Sequence, residues 1–275
     1  MKITTLKKLA ALALTAAMFC ACGAKNADDT ESSDTQPADD TAVSNAEEGP
    51  VYNFEAPKEG EKIAVITVKD FGEIKIKLFP EQAQKGVENF IGLADMNYYD
   101  ELIFHRIIPH FMNQGGDPTG TGTGGKSIWG EKFDGGIPEG LYHFSGAVAY
   151  ANSGSTSTDG SQFYIVNTDP GEYELGGTRL ADGTVHYYET FEEAGMTQPK
   201  NVQELYKEYG GTPFLDGSYT VFGQVFEGMD VVRAMGQVET DENDKPLTQV
   251  QMESVRIVEY TGESFLRTYL RGYQK

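Results

Sequence analysis

The order of apolar and polar positions sketches a chain of short strands with few helices. From Lys62 to Lys69, Ile63, Val65 and Thr67 alternate with Ala64, Ile66 and Val68, so both faces are partly apolar. Asp70-Phe71-Gly72 supplies a turn. Glu73–Phe79 then alternates cleanly, with Ile74, Ile76 and Leu78 on one face, and the pair predicts a β-hairpin. Pro80 opens a helical stretch to about Asn97, in which Val87, Phe90, Ile91 and Ala94 recur at helical spacing. Leu102–Ile108 reads as a strand that stops at Pro109. Gly115 to Gly136 is a long glycine-dense loop. Ser145–Tyr150 and Gln162–Val166 are short strands around a Ser/Thr/Gly loop. Residues 171–211 are polar and less regular, with one helix near Val202–Tyr209. Thr220–Phe226 is a strand, Met229–Gly236 a short helix, and Val250–Glu259 a closing strand; a short helix is expected after Tyr260. Strands at this density, not separated by regular helices, predict an all-β closed barrel with helical caps rather than a doubly wound α/β sheet.

The N-terminus reads differently. Lys2, Lys7 and Lys8 precede an apolar run from Leu9 to Ala21, the pattern of a secretory signal. Phe19-Cys20-Ala21-Cys22-Gly23 resembles a lipoprotein signal-peptidase site, with small Ala21 before Cys22 and Phe19 where leucine is usual. The resemblance implies cleavage after residue 21, acylation of Cys22 by lipid such as palmitate, and anchorage at the extracytoplasmic face of the cell membrane. Residues 22–50 then form an acidic linker, too poor in large apolar groups to offset its ordering entropy. Residues 51–275 form the folded domain.

Charge and cysteine content remove several classes. The 275-residue chain has a formal charge of −20, and losing the three N-terminal lysines makes it −23. That excludes the basic face a non-specific nucleic-acid binder needs. Cys20 and Cys22 are the only cysteines, so the domain has no disulfide framework and no cysteine metal site. Gly120 to Ser127 formally matches a phosphate-binding loop. Pro118 precedes it and Gly130, Gly135, Gly136 and Pro138 follow, so the required strand and helix are missing and no nucleotide is expected. His105, His110, His143 and His186 have no metal-helix spacing, His105 reads as structural, and no serine sits in a nucleophile elbow. No metal and no cofactor are expected.

The stretch Phe104-His105-Arg106-Ile107-Ile108-Pro109-His110-Phe111-Met112-Asn113-Gln114-Gly115-Gly116-Asp117 carries a permanent cation, an apolar wall and an amide close together. It strongly resembles the cyclophilin signature. Gly124–Ile128, Ala151-Asn152, Gly160–Tyr164 and Phe214–Gly217 follow in that family's order, so the resemblance covers about residues 60–260. It implies an eight-stranded antiparallel barrel capped by two helices, with residues 171–211 as an inserted excursion. It also implies peptidyl-prolyl cis-trans isomerase activity on proline-containing peptides and unfolded exported proteins. Arg106 falls on the family's catalytic arginine. Phe111, Met112 and Tyr164 fall on the pocket for the proline ring, and Gln114, Asn152 and Gln162 on the groups that orient the peptide. Ala151 and Leu215 line the same groove. Phe214 stands where many members have tryptophan, Tyr219 where many have histidine, and Tyr164 where phenylalanine is commoner. These swaps bear on cyclosporin binding more than on catalysis, because Phe214 lacks the indole N–H. A non-catalytic peptide-binding or scaffold lipoprotein on the same fold is the alternative. Lying between Tyr164 and Phe214, residues 171–211 are expected as an excursion beside the groove, where Glu172, Glu174, Glu189, Glu192 and Glu193 would favour basic clients; a plain surface loop is the alternative. A solute-binding lipoprotein would need two α/β lobes, which the strand pattern does not offer.

Overall fold

The computed structural model describes residues 48–180 and 182–262. The hairpin read from the alternation is present as β1 (Lys62–Val68) and β2 (Gly72–Leu78). Residues 80–83 make one turn, closed by the Ala83 amide on the Phe79 carbonyl, before α1 (Gln84–Asp95) begins. Helix α1 buries Val87, Phe90, Leu93 and Ala94, a stripe at helical spacing that contributes about 1.5–3 kcal/mol for each large side chain. The Phe90 ring meets Tyr99, Phe163 and Phe222 at centroid distances of 5.1–5.4 Å, so the helix plugs the sheet with aromatic packing.

The remaining strands follow in chain order: β3 (Arg106–Ile108), β4 (Met112–Gly115), β5 (Ala147–Tyr150), β6 (Phe163–Val166), β7 (Gly177–Arg179), β8 (Val185–Tyr187), β9 (Val221–Glu227) and β10 (Met252–Glu259). The main sheet has eight antiparallel strands in the order β10-β1-β2-β9-β5-β6-β4-β3. It is a strongly curled sheet rather than the fully closed barrel expected. No ladder joins β3 to β10. The seam is bridged instead by Ile103 opposite Gln251, with Glu101 donating to Met252, Met252 to Leu102, and Phe104 to Val250 at 2.8–2.9 Å. The same pairing explains why the strand expected over Leu102–Ile108 is cut short: residues 101–104 serve the seam, and only Arg106–Ile108 serves β4.

The helices fall where the sequence places them, two capping the sheet and one in the excursion. There are three α-helices among the described residues, α1, α2 (Lys200–Tyr209) and α3 (Met229–Met235), with α2 inside the excursion. The excursion also holds a small separate hairpin, formed by β7 with β8. Its core is separate too: Phe144, Leu175, Phe191, Val202 and Tyr206 cluster away from the main core. Residues 171–211 are therefore a folded part of the domain with packing of their own. The signal, Cys22, most of the acidic linker and the expected C-terminal helix lie outside the described residues.

Asn89 is the polar pin of this architecture. Fully buried on α1, its Nδ2 donates to the Tyr150 hydroxyl at 2.9 Å and the Gly160 carbonyl at 2.8 Å. Its Oδ1 accepts from the Ile128 amide at 2.9 Å. One side chain so ties the helix to β5 and to both loops that lead toward the groove.

Candidate active site

A single cross-strand row organises the candidate residues. Arg106 pairs with Gln114, Gln114 with Tyr164, and Tyr164 with Ala149, across β3, β4, β6 and β5. Directly opposed residues share a sheet face, so Arg106, Gln114 and Tyr164 project together. Met112, two positions before Gln114, lies on the same face and is buried. The intervening residues Ile107, Asn113 and Ile165 turn to the other face and are fully buried. Alternation along β3 and β4 thus sets Arg106 and Gln114 on the face opposite Ile107 and Asn113, with Ile108, Met112 and Tyr164 buried on their own face.

Arg106 is half-buried and tethered. Its Nε donates to Asp244 Oδ2 at 3.2 Å, and Nη2 lies 3.2 Å from the same oxygen. The Ile107 amide donates to the Asp244 carbonyl at 2.8 Å, which fixes the turn bearing that carboxylate against β3. Nη1 makes no hydrogen bond to protein among the described residues, so one edge of the fork remains for a ligand. Gln114 Nε2 donates to Gln162 Oε1 at 3.0 Å. Gln162 Nε2 is held in turn by the carbonyls of Gly122 and Gly124 at 3.0 and 2.8 Å. This relay orients the Gln114 amide from the glycine-dense loop.

That loop is built around a carboxylate. Asp117 accepts from the amides of Thr119, Thr121, Gly122 and Gly124 at 2.6–3.2 Å, and from the Thr119 hydroxyl. Burial alone would raise the Asp117 pKa, but the Thr119, Gly124 and Gly122 bonds outweigh it and hold the carboxyl below its ordinary value. The amides that a phosphate loop would offer a nucleotide are turned on Asp117. Gly116, at φ +82°, cannot carry a side chain there, since a Cβ would lie 2.4 Å from the Ser161 carbonyl.

The apolar wall closes the other side. The half-buried Phe111 ring stacks on Phe214 at 5.8 Å and 27°. Leu215, in the short 3₁₀ turn Pro213–Leu215, is buried beside it. Tyr219 stands edge-on to Tyr164 at 5.7 Å and 86°. Burial raises the Tyr219 hydroxyl, and the Arg106 charge partly offsets this. The Ala151 amide donates to the Gln162 carbonyl at 2.9 Å. Asn152 Nδ2 donates to the Ser218 carbonyl at 3.1 Å, and its Oδ1 takes the Gly154 amide at 3.0 Å, so this side chain braces loops. Strand register and direct contacts thus join Arg106, Gln114, Gln162, Tyr164, Tyr219 and Ala151, and stacking joins Phe111 to Phe214.

Other polar groups were not legible. Asp244, His143 and Asp216 touch the row or its supports, and only an arginine or tyrosine in need of a partner could have hinted at them. Buried Asp159 follows the loop after Asn152, with Oδ2 2.7 Å from the Thr220 hydroxyl and Oδ1 unpartnered. Desolvation raises its pKa from 3.8 to about 7, against opposing bonds from Thr220, Asn152 and Gly135. His105 is buried with both ring nitrogens unpartnered, and burial lowers its pKa, in keeping with a structural role. The one group with metal-ligand geometry among the described residues is His110, Asp169 and Glu172, whose ligand atoms lie within 4.8 Å of one another. Arg233 Nε stands 3.0 Å from Asp169 and already brings a cation to it. Of the acidic side chains assigned to client selection, Glu172 engages His110 and Glu193 engages His186.

Comparison with known proteins gives a consistent result. Residues 63–257 match the family described as cyclophilin type peptidyl-prolyl cis-trans isomerase/CLD. A Staphylococcus saprophyticus protein named "Putative peptidyl-prolyl cis-trans isomerase" is 40% identical over 200 residues, 73% of this chain and 94% of that one. A Streptococcus pyogenes protein named "Putative bifunctional phosphatase/peptidyl-prolyl cis-trans isomerase" is 42% identical over 200 residues, of which this chain spans only 39% of the relative's length. A Cryptosporidium parvum cyclophilin type peptidyl-prolyl cis-trans isomerase, solved in the presence of the dipeptide Ala-Pro, superposes with a TM-score of 0.53 at 28% identity, over 72% of this chain and 99% of that one.

Proposed function

This chain belongs to the cyclophilin-type peptidyl-prolyl cis-trans isomerase family and has that family's activity, and we propose that it works through Arg106 in the groove lined by Phe111, Met112 and Tyr164. The X–Pro amide resists rotation through resonance, with a barrier of roughly 18–20 kcal/mol. Twisting the bond returns the lone pair to the prolyl nitrogen. A donor aimed at that nitrogen binds the twisted state better than either planar one, which is differential transition-state binding. A guanidinium suits this because it is a fixed cation with several donors. Asp244 holds Nε and Nη2 and leaves Nη1 to reach the peptide. The ring would sit between Met112, Phe111 and Tyr164, and the Gln114 amide, oriented by Gln162, would hold a carbonyl. No bond to carbon breaks, so no nucleophile is needed.

The observation that carries this reading is the register that sets Arg106, Gln114 and Tyr164 side by side on one face. The test is catalysed cis–trans exchange on an Ala-Pro peptide. Arg106→Ala removes one charge-assisted hydrogen bond made chiefly at the transition state, about 1.5–3 kcal/mol or roughly 10–150-fold in kcat/KM. Exchange that survives unchanged in a folded Arg106→Ala protein would refute the mechanism. Peptide binding without turnover by the wild type would favour the scaffold alternative.

The proposal extends to place and clients. The signal pattern and Cys22 support a lipoprotein anchored at the extracytoplasmic face, where unfolded exported chains are the clients. No helix among the described residues is long and apolar enough to cross a membrane. Labelling with a fatty-acid analogue, lost in Cys22→Ser, tests the anchor.

A further inference from the structure

The excursion and the groove meet at a partly buried carboxylate. Asp216 follows the Pro213–Leu215 turn. Its Oδ1 accepts from the His143 amide at 2.9 Å and faces His143 Nδ1 at 2.8 Å. Its Oδ2 accepts from the Tyr206 hydroxyl at 2.7 Å and Gln198 Nε2 at 3.0 Å. Tyr206 lies in α2 and Gln198 just before it, both within the excursion. On the far side of the imidazole, His143 Nε2 lies 2.9 Å from the Tyr164 hydroxyl. His143 is 1% exposed, Tyr164 4% and Tyr206 fully buried.

The chemistry gives this chain of contacts a direction. A ring nitrogen facing a carboxylate donates, so Nδ1 carries a proton and Nε2 is left for the Tyr164 hydroxyl. That bond commits the Tyr164 hydroxyl to His143 and away from the strand row. The two rings are nearly parallel, 13° apart with centroids 6.0 Å distant, and Tyr219 stands edge-on to both. The backbone is equally committed at this junction. Gly211, at φ +141°, passes so close that a Cβ would lie 2.4 Å from the His143 carbonyl and 2.7 Å from the Tyr206 ring.

We infer that residues 171–211 are a positioning element for the groove, fixing Tyr164 through Tyr206, Asp216 and His143. The role follows from a continuous relay of close polar contacts that begins in the core of the excursion and ends on a groove ring. A surface insertion with no bearing on the site would not aim its most buried hydroxyl at the carboxylate that supports a pocket wall. The inference rests on the isomerase reading of that pocket.

A double-mutant cycle tests it on the full chain. Tyr206→Phe removes only the hydroxyl and keeps the ring in its core; Tyr164→Phe cuts the relay at its other end. The expected result is that Tyr206→Phe raises KM for an Ala-Pro peptide about 3–10-fold, the scale of one lost hydrogen bond, with kcat within about twofold. In the Tyr164→Phe background the same change has no further effect on KM, because the relay is already cut. Gln198→Ala, which removes a bond to the same carboxylate without touching the second core, serves if Tyr206→Phe does not fold, and carries the same expectation. Equal KM effects in both backgrounds, or none in either, overturn the inference. If the wild type binds the peptide but does not turn it over, the isomerase reading fails, and the same cycle is judged on the peptide Kd from NMR titration.

Discussion

Asp159→Asn is the substitution whose effect can be worked furthest from the structure. The carboxyl is buried, one oxygen has no partner, and desolvation raises its pKa from 3.8 to about 7. The sign follows from linkage. Between these values the folded state binds the proton and the unfolded state has released it, so stability falls as pH rises from about 4 to about 7 and is level above. The full span is about 3 pKa units, or about 4 kcal/mol at 1.36 kcal/mol per unit. Most of the change, about 2–3 kcal/mol, lies between pH 5 and pH 8. A carboxamide at this position is similar in shape, does not ionise, and can still meet the Thr220 hydroxyl. The stability of Asp159→Asn relative to wild type should therefore be about 2–3 kcal/mol greater at pH 8 than at pH 5. Urea unfolding at both pH values measures this, with the m-values checked for equality so that the comparison stays two-state. Taking the difference between variants cancels every other titrating group. A difference that does not change with pH would mean that Asp159 is ionised in the folded protein at pH 5. The argument from its unpartnered oxygen would then be wrong.

Two more outcomes follow from single contacts. Asp244→Asn keeps a residue type that tolerates the φ of +62° found there but removes the charge that tethers Arg106; kcat/KM should fall about 3–10-fold while Tm changes little, and a loss confined to Tm would refute the tethering role. Asn89→Ala strands the Gly160 carbonyl and Ile128 amide in the interior and should cost about 2–4 kcal/mol, measured by denaturant unfolding; a cost under about 1 kcal/mol would show that water or a local shift replaces the pin.

The legibility of the fold depended on how each strand is buried. Strand β2 and helix α1 were readable because one apolar face repeats at a clean period, and β1 and β9 because each is a short apolar run buried or half-buried at nearly every position. Strand β4 was not, because Met112-Asn113-Gln114-Gly115 has no β-branched residue and carries a polar side chain on each face: Asn113 is satisfied in the interior by the Val232 carbonyl and Asn167, and Gln114 by Gln162. The β7–β8 hairpin was hidden because its strands are three residues long and almost wholly exposed, leaving no alternation to read. Closure of the barrel was overestimated because the seam is a short bridge between residues 101–104 and 250–252 rather than a ladder, and no local pattern tells the two apart. In the site, the residue types were recognisable only together, through a family order. Their mutual geometry came from register, which depends on pairings far apart in the chain. His143 and Asp216 lie 73 positions apart, and nothing in either neighbourhood announces the other.

The loop around Asp117 carries its own counter-ion. A free anion seeking those amides would compete with a carboxylate covalently attached to them, present at an effective concentration no dissolved phosphate reaches. The loop is therefore held in shape by its own carboxylate, which also fixes its carbonyls at Gly122 and Gly124 for Gln162. Self-occupancy makes a segment with the composition of a ligand receptor behave as scaffold. It also means that one carboxylate, which reaches Gln114 only through the loop and Gln162, decides whether this glycine run is a wall or an anion hole.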